Sequence, residues 1–196
     1  MVLKKEDITV LVIYCGFSSE QKISEKTGTA VIKALEDSGV KVIPYRLTRE
    51  NVSKIADEKF DVAFIALHGR YGEDGTVQGY LDLLGKRYCG SGVMSSALCL
   101  NKYFTKKILM QHSIPTPEFF IYERLAEVDW QKLKAPIVIK PVEEGSSIGL
   151  SIVFEDNELK SATEKAFGYA QTVMFETYIS GREITVAVIE KDNTAK

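Results

Sequence analysis

The chain has 196 residues, of which 45% are hydrophobic and 27% charged, a composition that supports an ordinary globular core. Its 25 basic and 27 acidic residues leave a net charge of -2, which argues against a nucleic acid as the main partner. No apolar run approaches the roughly 20 residues that a membrane-spanning helix needs, and no cleavage site follows the first apolar run. We therefore expect a cytoplasmic protein without a membrane partner.

The first half alternates strand and helix patterns. Apolar, β-rich runs predict strands over 8–14, 40–47, 61–67 and 87–89, and helices are predicted over 24–35 and 76–84. This βαβ alternation predicts a parallel sheet, and ligands of such sheets gather at the carboxyl ends of the strands. The loops CGFSSE (15–20) and HGRYGEDG (68–75) leave at those ends, so both are placed for a site.

The pattern changes near residue 95, where we place a domain boundary. A connecting helix is predicted over 95–111, followed by a helix over 157–169. Short strands are predicted over 118–122, 137–140, 150–154, 172–178 and 183–189. The last of these strands begins a hairpin just before the sequence ends, which suggests a fragment.

The segment PIVIKPVEEGSSIG (136–149) combines a strand that ends at Lys140 with a glycine- and serine-rich loop. The backbone N–H groups and hydroxyls of such a loop can surround an anion such as phosphate. The lysine precedes the glycines, so this is not a Walker A loop. A plain hairpin with a solvated turn is the alternative.

Lysines on the connecting helix offer a second cation. Lys102 lies at the edge of the apolar stripe, where it either extends to solvent or meets Lys140 over a polyphosphate. Lys106 and Lys107 are expected to face water.

Polar residues in the two strand-end loops also allow two readings each. His68 is either held by the local backbone or placed at the ligand edge, and Glu20 is either an exposed carboxylate at a helix start or part of the site. Glu73 and Asp74 are expected to support their turn and cap the next helix, since calcium loops need more regularly spaced oxygens.

The carboxylates of FETYISGRE (175–183) either line a nucleotide cleft or lie on the solvent-exposed face of a sheet. The cysteines, Cys15, Cys89 and Cys99, are expected to be reduced and mostly buried, and no zinc-ligand spacing is present.

Four motifs in order carry a family resemblance: HGRYGEDGTVQGYLDLLGKRYCGSGVMSSALCLNKYFTKKIL, IPTP, PIVIKPVEEGSSIGLSIV and FETYISGREITV. Over nearly the whole chain the sequence closely resembles the D-alanine:D-alanine ligases of the ATP-grasp superfamily. The resemblance implies ATP-dependent joining of two D-alanines for peptidoglycan precursors, with Mg²⁺ or Mn²⁺, and a homodimer formed through the N-terminal domain.

The implied fold is an α/β substrate-binding domain over 1–95, a connecting helix and central ATP-grasp lid over 96–180, and the start of a truncated C-terminal domain over 181–196. The metal ligands and the second-substrate loop would belong to that C-terminal domain, so none is placed here. On this reading the 196 residues alone are expected to be inactive.

By resemblance, each candidate site residue has an expected role. Glu20, Ser146 and His68 would bind the first D-alanine, with Glu20 and Ser146 also serving catalysis. The expected ATP-binding residues are Lys102, Lys140, Gly145, Ser146, Ser147, Glu176, Thr177, Tyr178, Ile179 and Glu183.

Three positions depart from the family pattern. The family commonly has lysine where this chain has Thr177, aspartate where it has Asn101, and Gly-Gly where it has Cys15-Gly16. Two alternatives stay open. One is a non-catalytic nucleotide- or amino-acid-binding protein, and the other is a related ligase with another acceptor such as D-lactate.

Overall fold

Two four-stranded sheets and a short hairpin organise the residues that the computed structural model describes, 7–188, 190–191 and 194–195. The first sheet is parallel, with the order β2-β1-β3-β4. Its strands are β1 (Thr9–Cys15), β2 (Lys41–Leu47), β3 (Val62–Ile65) and β4 (Tyr88–Cys89), joined in part by helices α1 (Gln21–Asp37) and α2 (Thr76–Leu83). Leu11 and Ile13 of β1 are fully buried, as a strand at the centre of a covered sheet requires.

The second sheet is antiparallel, with the order β5-β8-β6-β7. Its strands are β5 (Phe119–Tyr122), β6 (Ile137–Pro141), β7 (Ser151–Val153) and β8 (Val173–Thr177). Helix α5 (Leu159–Phe167) packs against it over a core that includes Ile139 and Phe175. The hairpin consists of β9 (Glu190–Lys191) and β10 (Thr194–Ala195). The predicted α/β fold, a parallel sheet followed by an antiparallel lid-like sheet, is confirmed.

The single connecting helix predicted over 95–111 is wrong, because two helices occupy this segment: α3 (Val93–Leu100) and α4 (Lys102–Gln111). Asn101 lies between them with an extended backbone, and its side-chain oxygen accepts hydrogen bonds from the backbone N–H groups of Tyr103 and Phe104, both at 3.1 Å. Asparagine is a favoured N-cap because it satisfies N–H groups that the first helical turn leaves free. The cap therefore starts a new helix where the apolar periodicity alone predicted continuation.

The strand predicted over 183–189 is also wrong where it can be compared. Residues 183–188 have no regular secondary structure, and residue 189 lies outside the described residues. Ile184, Val186 and Val188 alternate as a strand requires, yet they are 74%, 75% and 69% exposed. A strand needs a hydrogen-bonded neighbour, and none pairs with this segment in the part of the chain that the structure describes.

The three cysteines are free thiols, but the expectation that they are mostly buried fails. Cys15 is buried at the end of β1, whereas Cys89 and Cys99 are exposed. Among the described residues, no helix has the length and apolar character needed to cross a membrane.

Gly28 of α1 lies directly on β1, so a larger residue should destabilise the N-terminal sheet. A Cβ atom at Gly28 would lie 2.5 Å from Cγ of Tyr14, close to the strand backbone where the ring cannot move away. We expect Gly28→Ala to lower the free energy of unfolding by about 1–3 kcal/mol, the usual cost of overpacking. Thermal and urea denaturation measure this change.

Gly79→Ala in α2 is the matched control. Its Cβ would make an ordinary contact of 3.6 Å with Val93, so the gain in helix propensity should leave stability unchanged or raise it. Equal stability of the two variants would contradict the packing argument.

Candidate functional site

Glu20 is a buried carboxylate at the start of α1, just beyond the carboxyl end of β1. It is 1% exposed, so the interpretation as an ordinary exposed carboxylate is wrong. Its Oε2 accepts a hydrogen bond from Ser146, while its Oε1 is buried with no partner among the described residues. A buried carboxylate oxygen without a donor is costly, so this atom is suited to a cationic ligand.

Glycines allow the backbone to approach Glu20 from two sides. A Cβ atom at Gly69 would collide with Glu20 Oε1, and one at Gly145 would lie 2.8 Å from the same oxygen. Gly69 also has a φ of +67°, which favours glycine. Space beside the carboxylate is thus set by two loops, the one that follows β3 and the one that contains Gly145.

The turn after β1 is strained at Cys15, a position that departs from the family pattern. Cys15 and Gly16 have φ values of +73° and +72°, a conformation that glycine adopts without strain and cysteine does not. The following loop is tied to the next strand end, because Ser18 Oγ donates to the carbonyl of His68 at 2.8 Å.

His68 is held by side chains and not by the local backbone, and its role at the ligand edge stays a prediction. Thr27 Oγ1 lies 2.9 Å from His68 Nε2, and Glu73 Oε1 lies 3.5 Å from His68 Nδ1. Ligand atoms of Glu20, His68 and Glu73 all lie within 4.8 Å of one another. His68 and Glu73 also line a cavity of about 570 Å³ that extends to Cys89 and Cys99.

Glu73 and Asp74 support the turn that contains them, as predicted. Glu73 Oε2 accepts from the N–H of Gly69 at 2.8 Å. Asp74 accepts from the N–H groups of Tyr71 and Thr76, both at 2.9 Å, and so braces the start of α2.

Residues 143–149, here called the lid loop, connect the antiparallel strands β6 and β7. The hairpin that was the alternative to an anion-binding loop is therefore present. Glu143, Ser146 and Ser147 of this connection are exposed, yet the loop is more than a solvated turn, because it also makes hydrogen bonds to residues that precede β5. Besides Ser146 on Glu20, Ser19 Oγ donates to Glu144 at 2.5 Å, and Asn101 Nδ2 donates to Glu143 at 2.8 Å. Ser146 and Ser147 have φ values of +46° and +60°, which these contacts must hold in place.

Lys102 and Lys140 line one cavity of about 240 Å³ with the lid-loop residues Gly145, Ser146 and Ser147. The ammonium of Lys102 donates to the carbonyls of Val142, at 3.3 Å, and Glu144. The pKa of Lys102 is lowered, mainly by burial and next by the positive charge of Lys140. The negative charges of Glu144, Glu20 and Glu143 act in the opposite direction but are outweighed. Because two cations share this cavity, an anionic ligand would relieve their repulsion.

Glu176 is a buried residue of β8 that accepts hydrogen bonds from two lysines, Lys106 and Lys140. Burial alone would raise the pKa of Glu176, but the hydrogen bonds from Lys106 and Lys140 and their charges outweigh it and lower the pKa. The interpretation of Glu176 as part of a wet sheet face is therefore wrong.

Lys106 is 6% exposed, and the expectation that it faces water is wrong as well. Sequence reasoning missed this residue, although a signal was present. Lys106 follows Lys102 by four positions, and residues at that spacing lie on the same side of a helix. Lys107 does remain exposed.

The residues predicted to bind adenine and ribose lie apart from the lysine cavity. Thr177, Ile179 and Glu183 are exposed. Tyr178 is half-buried, and its ring packs edge-to-face with that of Phe154 at 5.3 Å between centroids. Glu176 connects them to the cavity through Lys140. Their nucleotide roles stay a prediction.

Two family models match the chain. The model described as D-ala D-ala ligase N-terminus matches residues 49–91, and the model described as D-ala D-ala ligase C-terminus matches residues 109–196. Together they account for more than half of the chain.

Individual proteins give the same result. A D-alanine–D-alanine ligase of Syntrophotalea carbinolica is 41% identical over 181 residues, which are 92% of this chain and 59% of that protein. The crystal structure of a D-alanine–D-alanine ligase from Bacillus anthracis is 38% identical with a TM-score of 0.78, covering 89% of this chain and 58% of that one. A structure of the Bacillus anthracis enzyme complexed with ATP is 37% identical with a TM-score of 0.75, covering 89% and 60%.

The chain thus spans about 59% of the length of the curated relative described above. The collinear match of both family models, the relatives and the matching fold lead to one conclusion. The chain belongs to the D-alanine–D-alanine ligase family.

Proposed function

We propose that Glu20, His68 and Ser146 bind the first amino acid, and that Lys102 and Lys140 bind the phosphates, in an ATP-dependent ligase that joins two D-alanines. The observation that carries this proposal is the bond from Ser146 to Glu20, because the lid loop that lines the lysine cavity thereby also covers the buried carboxylate. The activity belongs to the whole protein of the family, of which this chain spans 59% in the relative described above.

At the amino-acid end, Glu20 Oε1 would accept the ammonium of the first D-alanine. The buried, unpartnered oxygen supports this role, since a charge-assisted hydrogen bond would satisfy it. His68 would lie beside the substrate carboxylate, oriented by Thr27 and Glu73.

At the nucleotide end, Lys102 and Lys140 would neutralise the phosphates of ATP beneath the lid loop. A carboxylate oxygen of D-alanine would attack the γ-phosphorus, releasing ADP and forming an acyl phosphate. The amine of the second D-alanine would then attack the acyl carbon, with loss of a proton and of phosphate. Phosphoryl transfer is catalysed mainly by positioning and charge neutralisation, which explains the need for two lysines and a covering loop.

A magnesium ion would supply further charge neutralisation when bound, but the described residues do not fit it. The cluster of Glu20, His68 and Glu73 includes an imidazole and a carboxylate closed in by glycines, whereas Mg²⁺ prefers six oxygen ligands including waters. We therefore assign no metal ligand among the described residues. The cytoplasmic location, the homodimer and the domain limits at 95 and 180 remain predictions of the family resemblance.

Substitutions at the two ends should separate the two ligands. We expect Lys102→Met and Lys140→Met each to weaken ATP binding at least about tenfold, since each removes a charge-assisted hydrogen bond. Glu20→Gln should weaken D-alanine binding by a similar factor and change ATP binding much less, because the glutamine oxygen can still accept the hydrogen bond from Ser146. Isothermal titration calorimetry measures both affinities, with Lys33→Met and Glu36→Gln, both at exposed positions of α1, as controls. Equal losses of ATP and D-alanine affinity in every variant would contradict the assignment of the lysines to ATP and of Glu20 to D-alanine.

Ser146→Ala should release the lid loop. Without its bond to Glu20, we expect amides of residues 143–149 to exchange with solvent about tenfold faster, a loss of roughly 1.4 kcal/mol of local stability. Hydrogen–deuterium exchange with mass spectrometry measures this change. Ser161→Ala, which removes a local hydroxyl bond in α5, should leave the loop unaffected. Unaltered loop exchange in Ser146→Ala would show that the contact does not hold the loop.

A coupled assay of ADP release with D-alanine tests turnover by this chain and by the longer family proteins. ATP and D-alanine binding without ADP release would favour the non-catalytic binding protein for these 196 residues. Competition between D-alanine and D-lactate as acceptors, measured in the longer protein, tests the remaining alternative.

A further inference from the structure

One carboxylate in the structure is shared between two lysines. Glu176 Oε1 accepts from Lys106, and Glu176 Oε2 accepts from Lys140. Lys106 also donates to Thr116 Oγ1 at 2.6 Å. The three charged groups come from three elements, α4, β6 and β8, so their meeting depends on the packing of the helix against the sheet.

The two lysines are not equivalent in their surroundings. The side chain of Lys106 is 7% exposed and its ammonium lies 4.9 Å from the centre of the Phe119 ring, so it is enclosed by protein. The side chain of Lys140 is 18% exposed and lines the same cavity as Lys102. Of the pair, Lys140 can therefore turn to a ligand while Lys106 stays with Glu176.

This arrangement changes the cost of moving Lys140. A buried carboxylate that loses its sole cation is strongly disfavoured, because an unpaired charge is left in the interior. With Lys106 in place, Glu176 keeps one cation when Lys140 moves. Without Lys106, the carboxylate would hold Lys140 as its single counter-ion.

We propose that Lys106 is a positioning residue: it neutralises Glu176 from the interior and so leaves Lys140 free to exchange that carboxylate for an anionic phosphate. The identity of the anion rests on the proposed function, whereas the sharing of Glu176 does not. The two parts are therefore tested by separate measurements.

The first measurement uses the chain without any nucleotide. Acetic anhydride acylates uncharged lysine amines, and mass spectrometry gives the rate at each lysine. In Lys106→Met, Glu176 has Lys140 as its single counter-ion, so the amine is held on the carboxylate and we expect it to react at least about threefold more slowly. Adding Glu176→Gln to this variant should raise the rate above that of the wild type. An unchanged or faster rate at Lys140 in folded Lys106→Met would overturn the proposal.

Lys107→Met is the matched control on the same helix. The ammonium of Lys107 lies over the Tyr103 ring, 5.3 Å from its centre, and not on Glu176, so its removal should leave Lys140 unaffected. Lys106→Arg keeps a cation at the carboxylate and should react at Lys140 as the wild type does. If Lys106→Met does not fold, the arginine variant decides, and a slower rate at Lys140 in it overturns the proposal.

The second measurement is ATP affinity. Lys106→Met should weaken binding at least about fivefold when Glu176 is present and less than about threefold in a Glu176→Gln background, because the carboxylate no longer retains Lys140. Equal losses in both backgrounds would indicate a merely structural role. If the wild-type chain binds no ATP, the proposed function fails for this chain, while the acylation rates still decide whether Lys106 and Lys140 share Glu176.

Discussion

The hydrogen bond from Ser146 to Glu20 is the contact on which the site depends. It joins residues 126 positions apart and holds the loop of the antiparallel sheet against the carboxyl edge of the parallel sheet. Through it, the buried carboxylate and the lysine cavity share one covering element. An arrangement in which one loop covers both ends suits a reaction whose two substrates must meet away from water.

Charge is distributed unevenly along this site. At one end, Glu20 Oε1 has no hydrogen-bond partner among the described residues, which favours a cation. At the other end, Lys102 and Lys140 favour an anion. Glu176 offsets only part of the positive charge, since Lys106 occupies one of its oxygens. An amino acid and a polyphosphate carry the matching charges, so the electrostatics of these residues favour binding the two side by side.

Much of this organisation could be predicted from the sequence, because strands β1 to β4 and the predicted strand that ends at Lys140 have strong local patterns. The break at Asn101 could not be seen in the apolar periodicity, since a cap acts through a single side chain. The spacing of Lys106 from Lys102 puts both on one side of α4, but it does not reveal the partner that buries Lys106, which is Glu176, 70 residues away. The segment 183–188 alternates like a strand, yet pairing requires a neighbour that local pattern does not reveal.

The lid loop also explains how the two ends can influence each other. Lys102 donates to the carbonyl of Glu144 in the loop while it lines the cavity, so the same ammonium serves the loop and any bound anion. An anion that draws this ammonium away weakens one hold on a loop whose Ser146 and Ser147 already have unfavourable positive φ values. The bond to Glu20 must then carry more of the loop's stability. Occupation of the lysine cavity and the state of Glu20 are thus linked through a single strained segment.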